Sequence, residues 1–353
     1  MEARKLNDSA GLPESRPRMP MRTAPLRIAF VSRPRDGVSA AGSQRGSICI
    51  VTWELARRLA ASHDVTVYAP QLRGQADEER GPENVLVRRI PHVFRRLHKA
   101  IDVATSLVSL HPPYFATNGF FREYAAGVAR QLARDPPDVV HIQICSQFIP
   151  VIRQAVPRAR IVFHAHDEFL TRLDPSLMTR RLAQADAVVT CSDYVTYRWR
   201  EHFPDRRAHI HTIGNGVDLE RFTPRDAASE GDEAPASNRV LYVGRVSPEK
   251  GIHVLAKAFD FMLRDVPDAR LAVVGSAGLL PSNQLALLED DPQIAALTPF
   301  YGRGVFGRLR KQVLQARHGY VGAIRASVSQ YARARMDFHK PGEALDLPAL
   351  YRC

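Results

Sequence analysis

From Leu26 onward the chain alternates short β-branched runs with stretches of helical periodicity, and this alternation limits the folds open to it. The runs are RIAFVS (27–32), DVTVYAP (64–70), VLVRRI (85–90), DVVHIQI (138–144), ARIVFHAH (159–166), AVVTCS (187–192) and AHIHTIG (208–214). Between them lie patterns such as ICIVTWELARRLAA and EYAAGVARQLAR, with apolar residues at helical spacing. Such an order predicts a parallel sheet with helices on both faces. Ligands of such sheets sit at the carboxyl ends of the strands. The segment RDAASEGDEAPASN (225–238) is polar and lacks apolar periodicity, so it reads as an exposed loop past a domain junction. The pattern then restarts with strand RVLYVG (239–244), a helix from about Pro248 to Leu263, strand ARLAVVG (269–275) and strand RMDFH (335–339). The expected fold class is α/β. Two Rossmann-like parallel-sheet units, 26–217 and 239–353, are joined by a linker (218–238) and preceded by a disordered tail (1–25).

Composition narrows the class. Of 353 residues, 45% are apolar and 24% charged, the balance of a soluble globular protein. No apolar run approaches the roughly 20 residues that a membrane helix needs. The first 25 residues lack an apolar h-region and carry Glu2, Asp8 and Glu14, which argues against a secretory or transit peptide. Met19 and Met21 are alternative starts. Cys49, Cys145, Cys191 and Cys353 lack metal-ligand spacing and read as small hydrophobes in a reducing cytosol. The net charge of +12 points to an anionic partner. Nucleic acid is not expected, because no known binding module or interleaved exposed aromatics accompany the charge. A dinucleotide dehydrogenase is also excluded, since VSRPRDGVSAAGSQRG supplies no G-x-G-x-x-G after the first strand.

The stretch YVGRVSPEKG (242–251) carries the sharpest chemistry. Gly244 lets a ligand approach the backbone, Ser247 suits an N-cap and Pro248 a first helical position. A helix starting there would aim free N–H groups at an anion. Arg245 and Lys250 add two cations at the same mouth, a forked donor and a point charge suited to a diphosphate. The alternative is that both are solvated, with Lys250 paired to Glu249 or Glu220. In HAHDEF, His164 and His166 lie two apart on a strand and share a face. A zinc pair would need a third ligand that the spacing does not supply. Residues 300–335 carry Arg303, Arg308, Arg310, Lys311, Arg317, Arg325, Arg333 and Arg335 without an acidic residue. That stretch reads either as a basic amphipathic helix on an anionic membrane or acceptor, or as a helix packed on its own domain.

These motifs together resemble glycosyltransferase family 4, a group of retaining, two-domain GT-B enzymes. GRVSPEKGIHVLAKAF is similar to its donor-binding signature, and IGNGVDLERFTP (213–224) to its interdomain hinge. IVFHAHDEFL (161–170) resembles the strand with the family's active-site histidine, and LRIAFVS with GSQRGSICIVTWELARRLAASHDVTVYAP its opening strand, glycine loop and first helix. The resemblance spans most of residues 26–276. It implies that Arg245 and Lys250 hold and stabilise the leaving diphosphate of a nucleotide sugar, with Gly244 beside them, and that His166 contacts the transferred sugar. Gly46 and Ser47 fall where the family carries a glycine pair, from which Ser47 departs. No metal and no other cofactor is implied. The implied partners are a nucleoside-diphosphate sugar and a glycan or lipid-linked acceptor. The implied location is cytoplasmic, or peripheral at the inner membrane face through residues 300–335. On the family's pattern a further strand and two glutamates eight positions apart would follow MDFHKPGEALDLPALYRC, so a truncated second domain is expected. A binding-only remnant is the alternative to an active enzyme.

Overall fold

The computed structural model describes residues 24–35, 37–40, 46–81, 83–91, 95–107, 113–223, 238–278, 296–301, 319–339 and 347–351. The N-terminal tail to residue 23, most of the polar segment and the basic residues 302–318 lie outside the described residues.

The first unit is built on eight strands: β1 (Arg27–Val31), β2 (Asp64–Pro70), β3 (Glu78–Arg80), β4 (Leu86–Ile90), β5 (Val139–Gln143), β6 (Arg160–Ala165), β7 (Ala187–Thr190) and β8 (Ile210–Thr212). They are ordered β3-β4-β2-β1-β5-β6-β7-β8. Every pairing is parallel except that of β3 with β4. The order runs outward in opposite senses from β1 and β5, which creates a crevice at their carboxyl ends. Side chains alternate between the sheet's two faces. Phe30 and Val67 face helix α1 (Ser47–Leu59), whose Cys49, Trp53 and Ala56 cover them. Val31, Ile142 and Phe163 face the other way, into the larger core. After α2 (Arg95–Leu107), that core is supplied by α3 (Arg122–Arg134), α4 (Phe148–Ala155), α5 (Pro175–Leu182) and α6 (Asp193–His202). Tyr124, Phe148, Ile152, Met178 and Trp199 are its large members.

The segment after β8 stays on this unit. Asp218 accepts from Arg57 at 2.7 Å and from Arg58 at 3.1 Å, both on α1. Between α1 and residues 213–222 lies a cleft of about 280 Å³ with His164 in its wall.

The second unit has β9 (Arg239–Val243), β10 (Arg270–Val274) and β11 (Met336–His339), parallel and ordered β11-β10-β9. Helix α7 (Ile252–Met262) buries Ile252, Ala256 and Phe259 with Leu271 and Val273. Tyr320, Ile324 and Val328 complete this core, so the described end of the basic stretch packs on its own unit. No helix among the described residues is long and apolar enough to cross a membrane.

Two local expectations need correction. The α-helix begins at Ile252, not near Pro248. Pro248–Lys250 form a single 3-10 turn, and Gly251, at φ 71°, separates it from α7. Ser247 makes no side-chain cap bond at that turn. Strand β3 was not expected. Its sequence, EER, has no apolar alternation to announce it, and it sits at the sheet edge.

Candidate active site

The sequence-derived site residues divide between the two sheets. Gly46, Ser47 and His166 belong to the first; Gly244, Arg245 and Lys250 belong to the second.

On the first unit, His166 stands one residue past β6 and Gln143 ends β5. His166 Nε2 donates to Gln143 Oε1 at 2.7 Å, which leaves Nδ1 to accept. Four rings follow one another across β1, β5 and β6. Their centroids are 4.8 Å apart for Phe30–His141, 5.2 Å for His141–His164 and 4.1 Å for His164–His166. The last pair confirms the shared face inferred from their two-residue spacing. Burial lowers all three imidazoles, with His141 at about 4, His164 at about 2 and His166 at about 4. The charge of Arg33, just past β1, lowers His166 further. The row is therefore neutral at physiological pH. Beside it, burial pushes the Asp167 carboxyl up to about 6, while its Oδ1 accepts from the Phe169 N–H at 3.1 Å. Ile144, directly after Gln143, has φ 54°. A left-handed β-branched residue is uncommon, and such strain concentrates at functional sites.

Gly46 caps α1 with φ 101°, a conformation that favours glycine, and Ser47 is the first helical residue. Both are exposed, and no described atom lies within 4 Å of the position a Gly46 Cβ would take. Among the described residues, nothing fills the space beside this helix start.

On the second unit, Gly244 directly follows β9, and a Cβ there would meet Tyr242 Oη at 2.8 Å. Gly275, past the end of β10, is pressed against the same point, and a Cβ there would stand 1.7 Å from the Gly244 carbonyl oxygen. Tyr242 Oη donates to the Arg245 carbonyl at 3.0 Å and braces the turn. Arg245 Nη2 pairs with Glu249 Oε1 at 2.5 Å, and Arg245 Nε donates to Ser247 Oγ at 3.3 Å. Glu249 thus belongs to Arg245, not to Lys250, which is exposed at the end of the turn. Both cations stand at the carboxyl end of β9, on the side where an α/β sheet receives ligands.

Residues 50–221 match the sequence profile described as Glycosyltransferase Family 4. Over that span, just under half of the chain, the sequence is similar to glycosyltransferase family 4. The spore coat protein SA of Bacillus subtilis is 28% identical over 168 residues, covering 43% of this chain and 44% of the relative. A Mycolicibacterium smegmatis protein, named a GDP-mannose-dependent alpha-(1-6)-phosphatidylinositol monomannoside mannosyltransferase, is 27% identical over 253 residues, covering 68% of this chain and 60% of the relative. The chain therefore spans under two thirds of the length of these relatives. Among solved structures, a trehalose-6-phosphate structure from E. coli bound with UDP-2-fluoro glucose superposes with TM-score 0.55 at 14% identity, over 92% of this chain and 75% of that one. Sucrose-phosphate synthase from Thermosynechococcus elongatus gives TM-score 0.53 at 18% identity, over 92% and 73%. At such identities the likeness is one of fold, and the fold is of the GT-B type. The family 4 match ends at Arg221, so Arg245 and Lys250 fall outside it.

Two neighbours of the site, Gln143 and Tyr301, escaped sequence reasoning, and Glu249 was expected only as a partner of Lys250, not of Arg245. Gln143 meets His166 across 23 positions and Tyr301 meets Glu249 across 52. Only Gln143 left a trace, being a polar residue at a strand end, on the His141 side of β5.

Proposed function

We propose that the chain transfers a sugar from a nucleoside diphosphate to a hydroxyl of a glycan or lipid-linked acceptor, with retention at the anomeric carbon. The observation that carries this reading is the turn after β9, where two glycines, Arg245 and Lys250 meet at the strand ends. The anomeric C–O bond to the diphosphate breaks as the acceptor oxygen bonds the same carbon from the same face. The acceptor proton passes to the departing phosphate. Arg245 and Lys250 stabilise the charge gathering there, the kind of preorganised electrostatic help that is usually the largest catalytic term. His166, neutral and held by Gln143, positions the sugar, and Gly46 with the Ser47 backbone leaves room for the phosphates or the acceptor. No metal is required, because the two cations take its place.

Support comes from the GDP-mannose dependence in the mycobacterial relative's name and from the UDP-sugar in the E. coli structure's title. The test is release of UDP, GDP or ADP from the corresponding glucose or mannose donors, with and without saccharide acceptors. We expect turnover with one nucleotide class and its loss in His166→Ala. Nucleotide binding without any turnover would favour the binding-only alternative.

A further inference from the structure

Glu249 places a carboxylate inside the proposed phosphate clamp, where charge alone would make it a liability. Its oxygens are nonetheless fully engaged. Oε1 accepts from Ser247 Oγ at 2.7 Å and pairs with Arg245 Nη2 at 2.5 Å; Oε2 accepts from Tyr301 Oη at 2.5 Å. The Glu249 side chain is 13% exposed and Tyr301 is 6% exposed, so the network is anchored from the inside. Burial would raise the Glu249 carboxyl, but hydrogen bonds from Tyr301 and Ser247 and the charge of Arg245 outweigh it and hold the group ionised. Arginine is a flexible side chain with five donors. Here Nε is taken by Ser247 and Nη2 by Glu249, which fixes one edge of the guanidinium. The Nη1 end is left to grip a ligand.

We propose that Glu249, anchored by Tyr301, is a positioning residue that holds the Arg245 guanidinium with its Nη1 end turned toward the donor's phosphates. The inference rests on the diphosphate reading above. It predicts a sign that simple electrostatics does not. Removing an acidic side chain beside an anion site should tighten anion binding by charge alone. If Glu249 preorganises Arg245, its loss restores the rotamer freedom of a long side chain and weakens binding.

Calorimetry of the full chain with UDP, GDP and ADP decides between these, using whichever binds tightest. Glu249→Ala is expected to weaken binding about three- to tenfold, the cost of ordering one rotamer-rich side chain on binding. In an Arg245→Ala background the same change should have no effect or tighten binding, the non-additivity expected of a pair that acts together. Equal weakening in both backgrounds would mean only that the turn had been damaged, and would overturn the proposal. A folded Glu249→Ala that binds as well as or better than the parent overturns it too. Should Glu249→Ala fail to fold, Tyr301→Phe gives the same test, with a roughly twofold loss expected only when Arg245 is present and no loss counting against the proposal. If the parent binds none of the three nucleotides, or Arg245→Ala binds as the parent does, the diphosphate reading falls and this proposal with it.

Discussion

His164 shows how a single residue shapes the crevice of the first unit. It is 3% exposed, and neither ring nitrogen has a hydrogen-bond partner. A buried polar group left unsatisfied costs about 1–3 kcal/mol. His164→Phe keeps a ring in the stack, removes that cost and has the adjoining cleft to relax into, so we expect about 1 kcal/mol of added stability in urea unfolding. The row also sets a pH dependence. His141, His164 and His166 all fall below their ordinary 6.5 in the fold, so the unfolded chain takes up protons first. Their contribution is present above 6.5 and is lost as pH falls toward about 4. Asp167 works the other way. Its carboxyl is raised from 3.8 to about 6, so its contribution is lost as pH rises through that range. Three groups oppose one, and the melting temperature should fall between about pH 7 and about pH 5, with a shallower slope in His164→Phe. A flat or rising profile would contradict this. The shared face of His164 and His166 was legible from their spacing. The bond that orients His166 was not, because Gln143 comes from another strand and only the parallel register of β5 and β6 brings it near.

At the scale of elements, the strand ends of the second unit carry the strongest constraint. Gly275→Ala would drive a methyl into the Gly244 carbonyl, backbone against backbone, with no flexible atom to yield. We expect loss of the β9–β10 junction, a destabilisation of about 3 kcal/mol or more by the logic of overpacking, and loss of nucleotide binding, checked by circular dichroism and calorimetry. Strands β9 and β10 were legible here because both are valine-containing apolar runs, and they match their predicted runs to within a residue. The helix start was not. Ser247-Pro248 reads as a cap and first turn, and only the left-handed Gly251 reveals that the chain makes one tight turn before α7 begins. This detail moves Lys250 from within a helix to the corner before it. There its side chain is exposed.

For the whole molecule, the net charge of +12 favours anionic ligands in general, and the proposed clamp of Arg245 and Lys250 narrows them to diphosphates. Charge-driven binding at an exposed mouth is screened, so nucleotide affinity should drop as salt rises from about 0.05 to about 0.5 M, where the Debye length shrinks severalfold. An affinity indifferent to salt would argue for recognition of the base rather than the phosphates. The two-sheet architecture was legible from the alternation of runs, since a parallel sheet leaves that trace along the entire chain. The network of Glu249 with Tyr301 was not, because it depends on contacts between segments that carry no pattern of their own. The central claim is that Arg245 and Lys250 bind a diphosphate. Its most direct test is calorimetric titration of the purified chain with UDP, GDP and ADP beside the Arg245→Ala/Lys250→Ala double variant. We predict binding of at least one nucleotide by the parent and a loss of about a hundredfold in the double variant, from two charge-assisted contacts. Equal affinity in the two proteins would contradict the account.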